Sequence, residues 1–161
     1  MNVEIVPIET AEGLEVIIGQ GNFTIKTIDD FHSLLYSSAP GIKFGVAMNE
    51  AKPKLTRSIG NEPTLKELAA RTALAIGAGH IFVIYLKGAY PIHVLNAVKD
   101  HPCVCGVYVA TSNPLQLLVA TTDLGRAIVG VVDGASAKTV ETDSQKAERR
   151  DMVKKFGYVP G

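Results

Sequence analysis

The chain has 161 residues, 47% of them hydrophobic and 20% charged, enough apolar material for one domain-sized core and unlike the charge-rich, apolar-poor disordered class. Sixteen basic residues balance sixteen acidic ones, so no overall field draws the chain to nucleic acid or to an anionic membrane, and local groups must hold any anionic ligand. The start, Asn2-Val3-Glu4-Ile5-Val6, is unlike a secretory leader, and the longest apolar runs, such as residues 81–86, fall far short of the ~20 residues a membrane helix needs; a cytoplasmic protein is expected.

Residues 2–8 and 14–20 alternate as two strands, with Glu12-Gly13 between them, and predict a hairpin. Thr27 reads as an N-cap, with Asp29 and Asp30 in the first turn and Ile28, Phe31 and Leu35 at helical spacing up to Pro40-Gly41. Strand character returns over residues 42–59, with Phe44, Val46 and Met48 on one face and a break around residues 49–53, which predicts a second hairpin. The next helix follows Gly60-Asn61 and carries Leu65, Leu68, Ala69, Thr72, Ala73 and Ile76 on one face, a Glu67–Arg71 pair outside and a glycine stop at Gly77 or Gly79.

The continuous apolar run of residues 81–86 predicts a strand covered on both faces, in the middle of a sheet. Pro91 suits the first position of a helix whose apolar stripe is Ile92, Leu95 and Val98. Residues 104–110, 117–120 and 127–132 read as three more strands, and Asp143 or Ser144 opens a last helix that ends near Phe156-Gly157. Hairpins and β-α-β units together predict an α+β fold, a mixed sheet with helices packed on it, as one domain over residues 1–161. Cys103 and Cys105, the only cysteines, read as two small buried thiols on opposite faces of a strand, since two cysteines and few histidines do not close a zinc site.

No common phosphate loop, dinucleotide fingerprint or zinc-protease helix motif occurs. Gly77-Ala78-Gly79-His80 follows a helix, where carbonyls face out, so it reads as a helix stop rather than an anion cradle. Lys87-Gly88-Ala89-Tyr90-Pro91 joins a buried strand to a helix start and has the right polarity for an anion, with Lys87 either a point charge or a solvated loop lysine. His93, Asn96 and Asp100 form a polar stripe that either faces water or reads a ligand. Thr111-Ser112-Asn113-Pro114 is both a turn former and a source of groups for ribose or base edges. Asp133-Gly134 closes a strand, as a turn or as a carboxylate for magnesium or a hydroxyl proton. Asn49-Glu50, Arg57 and Arg126 are either surface ion pairs or one shared polar edge.

The order of these signals resembles the adenosine-specific kinase family. The resemblance rests on Gly45-Val46-Ala47-Met48-Asn49-Glu50-Ala51, Arg57-Ser58-Ile59-Gly60-Asn61 and Ala75-Ile76-Gly77-Ala78-Gly79-His80. It continues through residues 89–99, Thr111-Ser112-Asn113-Pro114 and Gly125-Arg126-Ala127-Ile128-Val129-Gly130-Val131-Val132-Asp133-Gly134. It implies transfer of the γ-phosphoryl of ATP to the 5′-hydroxyl of adenosine, giving AMP and ADP, in a homotrimer. Phosphoryl transfer needs alignment, a cation clamp, usually with Mg²⁺, and a proton acceptor. On that chemistry Asp133 is expected as base or metal ligand, with Arg126, Arg57 and Lys87 as the clamp. Glu50, Asn96 and Asn113 are expected to fix ribose and adenine, with Asn49, His80 and Thr111 counted beside them. A module that binds AMP without turnover, and an oligomeric scaffold with solvated polar rims, are the competing readings.

Overall fold

The computed structural model describes residues 2–159. The elements in chain order are β1 (Asn2–Ile8), β2 (Glu15–Gly21), α1 (Thr27–Ser38), β3 (Lys43–Asn49), β4 (Thr56–Gly60), α2 (Pro63–Ile76), β5 (Ile81–Lys87), α3 (Pro91–Asp100), β6 (Val104–Thr111), β7 (Leu115–Thr121), β8 (Arg126–Asp133) and α4 (Asp143–Lys155). The fold is α+β, with a five-stranded sheet in the order β4-β3-β5-β2-β6 and a three-stranded sheet in the order β1-β7-β8. Among the described residues no helix is long and apolar enough to cross a membrane.

The five-stranded sheet separates two cores. On one side Val16, Ile18, Ala47, Val83 and Tyr85 meet α2 and the inner face of the three-stranded sheet, supplied by Val6, Ile8, Leu117 and Val119. On the other, Ile17, Phe44, Val46, Met48, Phe82 and Ile84 meet Phe31 and Leu35 of α1 and Val94 and Val98 of α3. Residues 81–86 are all buried, and β5 is the middle strand, because an apolar run without alternation has no face to offer water. All six apolar-stripe residues of α2 are buried, and the helix ends at Gly77 in the left-handed region (φ 66°).

Several expectations are corrected. β1 and β2 do not form a hairpin: β2 is buried on both faces with its two edges taken by β5 and β6, so β1 pairs with β7 instead, Asn2 opposite Thr121 and Ile8 opposite Leu115. Among the described residues every hydrogen-bonded strand pair is antiparallel, so the sheet is not mixed. The β-α-β units survive in split form: β2-α1-β3 has β5 between its strands, and β5-α3-β6 has β2. The β3–β4 hairpin forms, Met48 opposite Arg57.

Smaller corrections are local. Thr27 is the first residue of α1 rather than its cap, and its hydroxyl accepts from the Thr24 N–H at 3.0 Å. Arg71 pairs with Glu9 at 2.9 Å, not with Glu67. α3 buries Val94 and Val98 and leaves Ile92 80% exposed; its first turn is fixed by His93, whose Nδ1 accepts from the Tyr90 N–H at 3.0 Å. Cys105 is exposed and Cys103 half-buried, since β6 is an edge strand. α4 is capped by Thr142 and Gln145 in a reciprocal box, one residue earlier than expected.

Two buried positions carry consequences for stability. Tyr85 is fully buried, and its hydroxyl donates to the Glu9 carbonyl at 3.1 Å and meets the Thr72 hydroxyl at 3.2 Å; burial pushes its pKa up. Gly45 lets α2 lie directly on β3, for a Cβ there would stand 2.1 Å from the Leu65 carbonyl carbon. Gly45→Ala must push the helix off the sheet, and we expect a loss of about 3 kcal/mol and ~6–12 °C in Tm by thermal unfolding.

Glu15, at the start of β2, is 7% exposed, and burial holds its carboxyl above the ordinary value of 4.5. The folded state thus keeps the proton more tightly than the unfolded chain. The stability this lends is full below the ordinary value and is lost as pH rises through the folded pKa. Glu15→Gln is therefore expected to exceed wild type in Tm at about pH 8, with the advantage gone at about pH 4; a difference that does not change between the two pH values would refute this.

Candidate functional site

A cleft of about 780 Å³ opens at one end of the five-stranded sheet. Antiparallel pairing brings the end of β2 beside the start of β5, and the end of β3 beside the same point, with Gln20 opposite Ile81 and Met48 opposite Phe82. The cleft is walled by these strand ends, the loop after β3, the C-terminal end of α2 and the β7–β8 turn. Its size falls in the ~300–1,000 Å³ range of small-molecule sites.

Asn49 builds one wall. Its side chain is buried, its Nδ2 donates to the carbonyls of Ala73 and Ala78 at 2.8 and 2.9 Å, and its Oδ1 accepts from the Thr56 hydroxyl at 2.8 Å. Both amide hydrogens and the amide oxygen are thereby engaged, so Asn49 ties the end of β3 to the last turn of α2, to the turn after it and to β4. Glu50 lines the cleft and accepts from Arg57 Nε at 3.0 Å, its side chain only 12% exposed.

His80 also lines the cleft and has a backbone in the left-handed region, φ 58°. Such a conformation is costly for a residue with a Cβ and survives only where the surroundings impose it. Here two backbone bonds do so: His80 N–H donates to Asn49 O at 2.9 Å, and Gly21 N–H donates to His80 O at 2.8 Å. The imidazole packs against Phe23 at 5.9 Å, and among the described residues no hydrogen bond engages its ring nitrogens.

Arg126 begins β8 beside the α2 terminus, its Cδ 3.1 Å from where a Gly77 Cβ would stand. Its Nη2 donates to Glu4, while its Nε is buried with no partner among the described residues. A cation suits the negative end of a helix, but a buried N–H left without an acceptor is uncommon and leaves a donor for a ligand.

The other expected residues lie elsewhere. Thr111, Asn113 and Asp133 gather at the far end of β8: Asp133 Oδ1 accepts from the Thr111 hydroxyl at 2.8 Å and from Asn113 Nδ2 at 3.1 Å. Seven residue steps along β8 separate Asp133 from Arg126, about 23 Å of strand. Lys87 ends β5, six steps or about 20 Å from its start beside His80. Asn96 is exposed on α3, across the sheet from α2. The expected set thus divides between the two ends of the sheet. Asn49, Glu50, His80 and Arg126 line the cleft, with Arg57 bound to Glu50, and the rest lie outside it.

Sequence reading missed part of the cleft. Lys54 lines it from a backbone at φ 67°, and Leu55, Leu74 and Leu124 form an apolar rim, 47, 70 and 99% exposed. Leu74 was open to discovery, since it lies off the buried stripe of α2; Lys54 and Leu124 sit in loops with no periodicity to betray them. Because Asn49 bonds one carbonyl of α2, one of the turn after it and a hydroxyl, Asn49→Leu is expected to cost about 2–4 kcal/mol in urea unfolding; a variant within about 0.5 kcal/mol of wild type would contradict this role.

A family model described as adenosine specific kinase matches residues 6–159. Among solved structures, the PH1918 protein from Pyrococcus horikoshii OT3 is similar, with 58% identity over 99% of each chain and a TM-score of 0.96. No curated protein matches significantly. With a family match running nearly from end to end, the chain belongs to the adenosine specific kinase family.

Proposed function

We propose that the protein is an adenosine kinase that transfers the γ-phosphoryl of ATP to the 5′-hydroxyl of adenosine, giving AMP and ADP, and that the cleft holds the reacting nucleotide. The observation that carries this reading is the buried, unpartnered Nε of Arg126 in a cleft that also presents Lys54, His80 and an apolar rim, in a chain of this family. Arg126 and Lys54 supply positive charge for phosphate oxygens, Arg126 through a donor already positioned by Glu4. Leu55, Leu74 and Leu124 offer a surface for the faces of the adenine ring. His80, with free ring nitrogens, is the group in the cleft suited to take the 5′-hydroxyl proton. Glu50 is neutralised by Arg57 and reads as a ribose contact.

Mg²⁺ enters with ATP as part of the substrate. Among the described residues no three His, Cys, Asp or Glu side chains gather into a cation site, so its ligands would be phosphate oxygens, water and at most the Glu50 carboxylate. Asp133 keeps a part in the chemistry only where a second copy brings it to the cleft of the first. Within one chain the proton falls to His80.

A second reading, nucleotide binding without turnover, is favoured by the cleft's volume, which suits one small ligand, whereas a kinase must hold donor and acceptor together. Incubation with adenosine and MgATP, with AMP followed by chromatography, separates the two. On the kinase reading AMP accumulates, Arg126→Gln lowers kcat/KM by about 10²–10³, and AMP affinity falls more than adenosine affinity. No AMP formation, with AMP still raising Tm by about 5–10 °C at a hundredfold its Kd, leaves the binding module. Absence of any Tm shift with AMP, ADP and adenosine removes both.

A further inference from the structure

Two carboxamides line the cleft, Asn49 and Gln20. Asn49 has both amide hydrogens and its oxygen engaged. Gln20, near the end of β2 and half-buried, is used only in part: its Nε2 donates to the Gly79 carbonyl at 3.2 Å, and its Oε1 accepts from the Tyr108 hydroxyl at 3.2 Å. A carboxamide has two hydrogens to give and two lone pairs to offer. Among the described residues, one N–H and one lone pair of Gln20 are thus left without a partner.

The two bonds fix which way the amide faces. A backbone carbonyl can only accept, so the atom beside Gly79 O must be the nitrogen, and a flipped amide would set two acceptors against each other. Gly79 is itself held in place, because it follows Ala78, whose carbonyl Asn49 binds. Tyr108 secures the other end as the extra residue of a β-bulge: Ile18 pairs with Val109 and Gly19 with Val107, which leaves Tyr108 with no residue opposite it on β2. A bulge re-aims a side chain, and here the phenol reaches Gln20. Burial pushes the phenol's pKa up, so it stays protonated and donates.

We infer that Gln20 is the specificity-determining residue of the cleft: its locked amide reads the six-position edge of a purine, accepting at Oε1 from the amino group of adenine and donating from Nε2 to the adjacent ring nitrogen. The inference rests on the cleft being the nucleotide site. A carboxamide is complementary to that edge of adenine. A 6-oxo purine puts a carbonyl oxygen where the amino group stood, so two acceptors meet, and the amide cannot turn to relieve them without losing Gly79. Arg126 and Lys54 suit phosphate oxygens, whereas a neutral base edge needs a neutral donor and acceptor, and Gln20 keeps one of each. Tyr108 is a positioning residue that acts through Gln20.

Calorimetric titration of the full chain with AMP and with IMP, which differ at that edge, tests the assignment. Wild type is expected to bind AMP about 10–100 times more tightly than IMP. Gln20→Met, close in size but without strong hydrogen-bonding groups, is expected to weaken AMP to the level of IMP, with IMP affinity and the circular-dichroism spectrum unchanged. Tyr108→Phe is expected to lower the preference for AMP by about 2–10-fold, a change in discrimination that a merely structural role would not produce. Equal affinities in wild type overturn the role of Gln20 and leave the nucleotide site standing. So does a preference that survives Gln20→Met or, should that variant not fold, Tyr108→Phe. Binding of neither nucleotide removes the nucleotide site and this inference with it.

Discussion

The grip of Asn49 on the C-terminal end of α2 is the interaction on which the site depends. One buried amide from the end of β3 donates at once to the Ala73 carbonyl in the last turn of α2, which also accepts from the Gly77 N–H, and to the Ala78 carbonyl in the turn that follows the helix. The close approach permitted by Gly45 brings α2 down onto the same strand. Together they fix where Gly77, Gly79 and His80 emerge, and so place the floor of the cleft relative to Glu50 on β3. The strained backbone of His80 follows from this constraint, for its N–H is held by the Asn49 carbonyl and its carbonyl by Gly21.

Around that fixed point the charges are arranged locally, as a chain of zero net charge requires. Glu50 and Arg57 cancel, and Glu4 engages one nitrogen of Arg126 while leaving Nε without an acceptor. Positive charge therefore reaches the cleft from two places, Arg126 at the α2 terminus and Lys54 on the loop after β3. The opposite end of the sheet, where Asp133, Thr111 and Asn113 bond one another, is a separate polar cluster that ties β6 to β8.

Much of the fold was legible because burial leaves periodic traces. The buried stripe of α2, the fully buried β5, the β3–β4 hairpin and the glycine stop all follow from residue spacing and glycine chemistry. The partnership of β1 was not legible, since an alternating strand records that one face is buried but not against which neighbour. α4 was legible as a helix from its capping residues, but not as one that buries none of its side chains.

The amino-acid sequence by itself determined the class of the fold, the family, and the polar residues Asn49, Glu50, His80 and Arg126 among those that wall the cleft. What it could not determine was their grouping. Asp133 and Arg126 are close neighbours in the chain and both stand at strand ends, yet an extended strand separates its ends by about 3.3 Å per residue, so the two face opposite ends of the sheet. Asn49 and His80, 31 positions apart, touch instead, because antiparallel pairing joins the end of one strand to the start of another. Proximity along the chain and proximity in space diverge most in such a sheet, and only the tertiary structure decided which polar groups share a cleft.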